Sequence, residues 1–301
     1  MTEFFSVFIN VVMPVFGIVV LGYLLGDRLQ LQAQTLTRAA YFVFVPAFIF
    51  DAISKVRVPL DNVLKMVFFI ALTHILAALI AGGVGRLLGR SREMIAAFIM
   101  IAAFGNVGNY GIAVVQFRLG DAALASAIIH SVAITVIAFV ICVSAAGWAR
   151  GGSRGALSGL IRTPALWAVI PALIVSNNDI AMPLMASRMI GLLAGAMIPV
   201  MLFALGVQFR EQKKVEFNLD VVMTSSIRLL LAPALACLVA IPFGLGHIDY
   251  ASGVLQAAMP TAVLAAIISK EYNIVPNFVT TVVLFSTLAS LVTLTVIMVL
   301  L

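Results

Sequence analysis

The sequence predicts an all-α membrane protein of ten transmembrane helices, built as two inverted five-helix repeats with broken, crossed helices 4 and 9. Three observations lead there. The first is composition: 63% of the 301 residues are hydrophobic and 10% are charged, with a mean hydropathy of +1.18, whereas a soluble domain carries about 25% charged residues. The second is segmentation, because the charges fall in short clusters between ten apolar runs, most of them close to the ~20 residues that cross a bilayer. The third is a pair of helix-breaking stretches inside the fourth and ninth runs, Gly105-Asn106-Val107-Gly108-Asn109-Tyr110-Gly111 and Ala257-Ala258-Met259-Pro260-Thr261-Ala262.

The run cores are 4–25, 35–53, 62–85, 94–119, 122–147, 161–177, 184–208, 221–243, 250–270 and 275–301. Glu3 is the only charge before the first run, and no positive n-region precedes it, so the run is read as a helix and not as a cleaved leader. The sixth is short and interrupted by Pro171. The longest polar connection, Trp148 to Arg162, divides the chain into a first repeat (1–148), a linker (149–160) and a second repeat (161–301). Five helices is an odd number, so the second half enters the membrane from the opposite side and the repeats are inverted. Proline spacing agrees: Pro46 precedes Asn106 by 60 residues and Pro199 precedes Pro260 by 61, a shared offset of 153–154.

Basic residues orient the runs. With the N-terminus outside, 13 of the 18 Lys and Arg fall at cytoplasmic ends: Arg28, Arg38, Arg86, Arg90, Arg92, Arg150, Arg154, Arg162, Arg210, Lys213, Lys214, Arg228 and Lys270. Lys55, Arg57, Lys65, Arg118 and Arg188 stay outside. This bias predicts a multi-pass membrane protein with both termini outside. The net charge of +6 therefore reads as topology, and no aromatic-interleaved basic patch points to nucleic acid.

Glycine and asparagine are poor helix formers, and a bilayer core has no water to satisfy a freed backbone. A break at membrane depth must be packed in protein or line a polar cavity. One reading of the first break is a smooth helix contact made by small residues; the other is an unwound binding site. Pro260, which removes a donor and clashes with the carbonyl of Gln256, reads as a simple kink or as the second half of that site. If helices 4 and 9 unwind together, each presents the N-terminus of a half-helix, with free amides and partial positive charge, to a shared centre. The predicted substrate-binding residues are Gly105, Asn106, Val107, Gly108, Asn109, Tyr110, Gly111, Met259, Pro260 and Thr261, with the amides just after Pro260 contributing.

None of the 12 acidic residues lies in either break, which argues against cation exchange as the main activity. His74 and His130 lie inside helices, where a histidine either couples a proton to transport or is a neutral packing residue. Arg228 reads as a counter-charge to an anion or as a side chain snorkelling to the headgroups. Asp51, Gln116 and Gln256 are the other candidates for coupling or gating. Cys142 and Cys237 sit in apolar runs as small packing residues. His74, His130 and His247 have no acidic partner at ligand spacing, so neither a metal nor an intramembrane enzyme is expected. No Gly-x-x-x-x-Gly-Lys-Ser/Thr supports an ATP-driven pump.

The chain resembles the auxin efflux carrier family, whose bacterial members are often described as malonate or malate permeases. The resemblance rests on Tyr41-Phe42-Val43-Phe44-Val45-Pro46-Ala47, the Gly-Asn-x-Gly-x-x-Gly break, Ile198-Pro199-Val200-Met201-Leu202-Phe203-Ala204-Leu205-Gly206, Ile227-Arg228-Leu229-Leu230-Leu231-Ala232-Pro233, Met259-Pro260-Thr261-Ala262 and Lys270-Glu271-Tyr272. It implies a ten-helix inverted repeat with crossed helices 4 and 9, a scaffold of helices 1, 2, 6 and 7, and a moving transport domain. One departure stands out: relatives often continue the break with Gly-Leu-Pro, whereas this chain has Gly111-Ile112-Ala113. The expected function is secondary transport of a small organic anion, a dicarboxylate or an auxin-like carboxylate, by an elevator-like alternating-access cycle. The alternatives are an ion-coupled cation or proton exchanger and a transporter-derived sensor or channel. No cofactor is expected; the coupling ion, H+ or Na+, is left open. The expected partners are the anion, the lipid bilayer and a second copy through helices 1, 2, 6 and 7.

Overall fold

The computed structural model describes residues 2–55, 59–150, 164–178, 180–211 and 217–301. The linker from Gly151 onward lies outside them, as do Arg57, Arg154, Arg162, Lys213 and Lys214. Among the described residues every regular element is helical, and the extended backbone pairs only in an isolated bridge between Gly105 and Thr261. In chain order the helices are α1 (Phe4–Leu25), α2 (Ala33–Ser54) and α3 (Leu60–Leu87), then α4 (Arg92–Ala103), α5 (Ile112–Leu119) and α6 (Asp121–Arg150). They continue with α7 (Pro164–Asn177), α8 (Leu184–Glu211) and α9 (Leu219–Phe243). The last three are α10 (His247–Ala257), α11 (Val263–Glu271) and α12 (Pro276–Leu300).

Seven of these, α1, α2, α3, α6, α8, α9 and α12, are long and apolar enough to cross a membrane. The chain is therefore an all-α, multi-pass membrane protein. The fourth and ninth apolar runs fall short of a continuous span because each is cut in two, into α4 and α5 and into α10 and α11. The sixth appears as α7, of 14 residues with Pro171 inside.

Local sequence explains several boundaries. The Met94 amide donates to the Ser91 hydroxyl at 3.3 Å, capping α4, and the Val221 amide donates to Asn218 Oδ1 at 3.1 Å, capping α9. Three helices widen into a π turn just before a proline: Phe8–Val12 before Pro14, Ala40–Phe44 before Pro46 and Ile227–Leu231 before Pro233. Proline has no N–H and its ring crowds the carbonyl four residues back, and a wider turn relieves both.

Packing sorts the helices into two groups. α1 runs along α8, and α2 along α7 and α8; α3 packs on α4, α6 and α9, α10 on α6, and α11 on α12. Between the groups lies an apolar layer that includes Phe48, Ile49, Ile112, Ile128 and Met197. Polar contacts gather the ends. At one end Arg210 Nε donates to Asp27 at 2.7 Å, Arg90 Nη2 to Asp220 at 2.9 Å and Arg150 Nε to the Tyr272 carbonyl at 3.2 Å. At the other, Lys55 pairs with Asp51 at 2.7 Å and Gln116 Nε2 donates to Asp121 at 2.8 Å. Arg228 departs from its assignment to a basic helix end: it is fully buried in the protein.

Candidate functional site

The two breaks meet. α4 stops at Ala103, and Phe104 is already extended (φ −108°, ψ 95°). α10 stops at Ala257, and the backbone is extended again at Ala262 (φ −71°, ψ 145°) before α11 begins. The Asn106 amide donates to the Pro260 carbonyl at 2.7 Å and the Ala262 amide to the Phe104 carbonyl at 2.8 Å. These reciprocal bonds flank Gly105 and Thr261 and satisfy backbone that the broken helices leave unpaired. Proline suits this junction because Pro260 has no donor to lose and supplies the acceptor.

Arg228 closes the junction from behind. Its Nε donates to the Met259 carbonyl at 2.7 Å, Nη1 to the Ala102 carbonyl at 2.8 Å and Nη2 to the Ala257 carbonyl at 3.1 Å. The guanidinium therefore binds carbonyls at the C-terminal ends of both α4 and α10, where the helix dipoles are negative, and it neither reaches the membrane surface nor faces the cavity described next. Gly105 must be glycine here, since a Cβ would run into the Arg228 guanidinium. Gly111 has the same relation to Gln256, whose Oε1 occupies the place of a Cβ and whose Nε2 donates to the Ala127 carbonyl at 3.2 Å.

In front of the junction is a cavity of about 120 Å³, room for several waters at the ~10–15 Å³ each needs. Gly105, Asn106, Val107 and Gly108 line it, with Val263 and Leu264 from the start of α11. A π turn at Val107–Gly111 leads into α5, so the N-terminal end of that half-helix, at Val107, and that of α11 both lie at this space, where first-turn amides have no intrahelical acceptor. Among the described residues the polar side chains on its wall are Thr37, Asn106, Ser131, Thr135 and Gln208, and none of those lining it is ionisable. Asn106 is 4% exposed and its Nδ2 has no partner among the described residues. A buried amide donor without an acceptor is costly, and this one belongs to a residue that lines the cavity.

The other predicted site residues are placed as follows. The Tyr110 ring packs edge-on against Phe16 with centroids 5.7 Å apart, and its hydroxyl lies 3.5 Å from Ser290 Oγ. Tyr110, Gly111, Met259, Pro260 and Thr261 build the junction without lining the cavity. The amides expected to be free after Pro260 are engaged: Thr261 N–H donates to Ser286 Oγ at 3.1 Å and Ala262 N–H to Phe104. Gly111 N–H donates to the Asn106 carbonyl at 2.9 Å. The Asn109 side chain lies outside the described residues. His74 Nδ1 is 2.9 Å from the Ile70 carbonyl, and His130 stands edge-on to Phe69; both are buried away from the cavity. Asp51 and Gln116 line a second cavity, of about 570 Å³, with Lys55 and Asp121. Sequence reading missed Thr37, Ser131, Thr135 and Gln208. Ser131 and Thr135 are four apart on one helix face, the signal that was available.

A family model described as "Membrane transport protein" matches residues 7–150 and 153–298. The chain belongs to the auxin efflux carrier family of membrane transporters. The resemblance read from the sequence is thus borne out. A Methanothermobacter thermautotrophicus protein called "Uncharacterized transporter" is 26% identical over 290 residues, 94% of this chain and 95% of its own. A Rhizobium meliloti protein named "Putative malonate transporter" is 25% identical over 304 residues, covering 95% of this chain and 93% of its own. The Arabidopsis thaliana protein "Auxin efflux carrier component 7" is 30% identical over 138 residues, 44% of this chain and 22% of its own.

Proposed function

We propose that this transporter carries a small organic anion, a dicarboxylate or a comparable carboxylate, through the cavity in front of the paired breaks by alternating access. The observation that carries the reading is the charge arrangement at the junction. Two C-terminal helix ends, worth roughly −0.5 each, are matched behind the junction by the single charge of Arg228. Two N-terminal ends, worth roughly +0.5 each, and the Asn106 amide face the cavity in front, where among the described residues neither a partner for that amide nor a fixed carboxylate is present. The two ends together offset about one negative charge, that of one carboxylate of the substrate, and asparagine can donate to that carboxylate without adding a permanent charge. The family supports a carrier in place of an enzyme, and the name of the Rhizobium relative supports a dicarboxylate.

The same reading takes the chain as a ten-span inverted repeat in which the broken fourth and ninth spans cross at the junction. α1, α2, α7 and α8 are then the scaffold and dimer face, in a bacterial inner membrane with both termini outside. Two cavities separated by the apolar layer of Phe48, Ile49, Ile112, Ile128 and Met197 support alternating access.

Counterflow in reconstituted liposomes tests it. Radiolabelled malonate should exchange saturably, and its neutral diester should neither exchange nor compete. Asn106→Ala should weaken binding by the ~1.5–3 kcal/mol of a hydrogen bond to a charged group, about 10- to 150-fold. Equal flux of the neutral analogue, or wild-type binding by the variant, would sink this account.

A further inference from the structure

Away from the junction, α3, α4 and α6 enclose a groove of about 760 Å³. Its upper wall carries Arg86, Arg90 and Arg92 with Trp148, and its lower part is Ile75, Leu79 and the Gly82-Gly83 pair. We propose that this groove binds an anionic phospholipid, with the headgroup on the arginines and one acyl chain along the glycine floor.

Depth argues for a lipid. Ile75 and Arg86 are 11 residues apart on one helix, about 16 Å of rise. That is about half of the ~30 Å hydrocarbon core, so the groove runs the depth of one leaflet and ends in positive charge at headgroup level. Trp148 stands at the same level, 49% exposed, with the Arg92 guanidinium 6.0 Å from its ring centroid, the amphipathic pairing expected at a membrane interface. The lower wall faces the bilayer, since Ile75 and Leu79 are 42% and 66% exposed.

Shape agrees. Gly82 lies against Ile99, which a Cβ would approach to 3.1 Å, while Gly83 has nothing within 4 Å. Two glycines in succession thus leave a trough that side chains would fill. Charge is left over as well. Asp220 occupies Arg90 at 2.9 Å and Glu93 lies beside Arg92, but Arg86 has no ion pair among the described residues. Basic pockets between spans bind anionic headgroups for this reason.

Native mass spectrometry of the purified full-length protein tests the proposal, using phosphatidylglycerol and phosphatidylcholine with identical acyl chains. Wild type should retain phosphatidylglycerol preferentially. A juxtamembrane arginine contributes about fivefold, so Arg86→Gln/Arg92→Gln should cut the preference by roughly 25-fold. Gly83→Trp, which fills the trough without touching the charges, should lower retention of both lipids. Inorganic phosphate should not displace the lipid. Equal retention of the two lipids by wild type would overturn the proposal, and that comparison needs no variant to fold. Unchanged preference in the double variant would overturn it too, and displacement by phosphate would make the groove a simple anion site instead. Malonate counterflow by the same preparations is independent, because the groove shares no residue with the cavity.

Discussion

Asn106 and Arg228 are neighbours at one junction and do opposite work. Arg228 has its donors committed to three or more main-chain carbonyls, so it is part of what holds α4 and α10 together. Truncating a charged group in a buried network leaves its partners unsatisfied, at ~1–3 kcal/mol each. Arg228→Gln should therefore lower the thermal stability of the purified protein markedly, and Arg228→Lys should fall between, since an ammonium cannot fork to carbonyls on two helices. Asn106 Nδ2 donates to no group among the described residues, so Asn106→Ala should melt close to wild type while losing binding. An Arg228→Gln protein that melts and transports like wild type would show that the junction does not depend on the guanidinium. The role of Arg228 was not legible in the sequence because its acceptors lie 31, 126 and 29 residues away. Chain position alone suggested a cytoplasmic helix end. Asn106 was legible, as an amide inside an apolar run needs a reason to be there.

At the scale of helices, glycine separates contacts that sequence alone cannot. Gly22 on α1 and Gly206 on α8 face each other's backbones: a Cβ at Gly22 would meet the Phe203 carbonyl oxygen, and one at Gly206 the Val19 carbonyl oxygen. Backbone on both sides leaves nothing to yield, so small residues set the distance between these helices. Gly195 on the same α8 has nothing within 4 Å. Gly206→Ala should consequently lower the melting temperature, whereas Gly195→Ala should leave it unchanged or raise it, because alanine gains up to ~1 kcal/mol over glycine in a helix. Equal melting of the two variants would mean that α1 and α8 can separate without cost. In sequence, Gly195 and Gly206 look alike. The breaks were readable for a different reason: Gly, Asn and Pro clustered in apolar runs carry their meaning locally. The pairing of Gly105 with Thr261, and the consumption of the Thr261 and Ala262 amides by Ser286 and Phe104, depended on three-dimensional register and were not.

Across the whole molecule, two cavities lie along the same helices on opposite sides of one apolar layer. On α2 the first takes Thr37 and Val45 and the second Asp51, with Lys55 just past the helix end; on α8 the first takes Met201 and Gln208 and the second Gly191 and Gly195. The helices run in opposite directions, so this order sends the cavities toward opposite ends. The ends also differ in character: among the described residues the first cavity has no ionisable lining residue, and the second carries Asp51, Lys55 and Asp121. A carrier that exposes its site alternately should move the apolar layer when substrate binds. Single cysteines at Ile267, 51% exposed on the rim of the first cavity, and at Gly191 in the second test this in a background lacking Cys142 and Cys237. A membrane-impermeant thiol reagent should label Ile267→Cys from one side of sealed vesicles and Gly191→Cys from the other. Saturating malonate should change the two rates in opposite senses, since opening one cavity closes the other. Labelling of both from the same side would refute the opposed cavities. Labelling from opposite sides with no response to substrate would keep them as fixed vestibules and remove the alternating cycle.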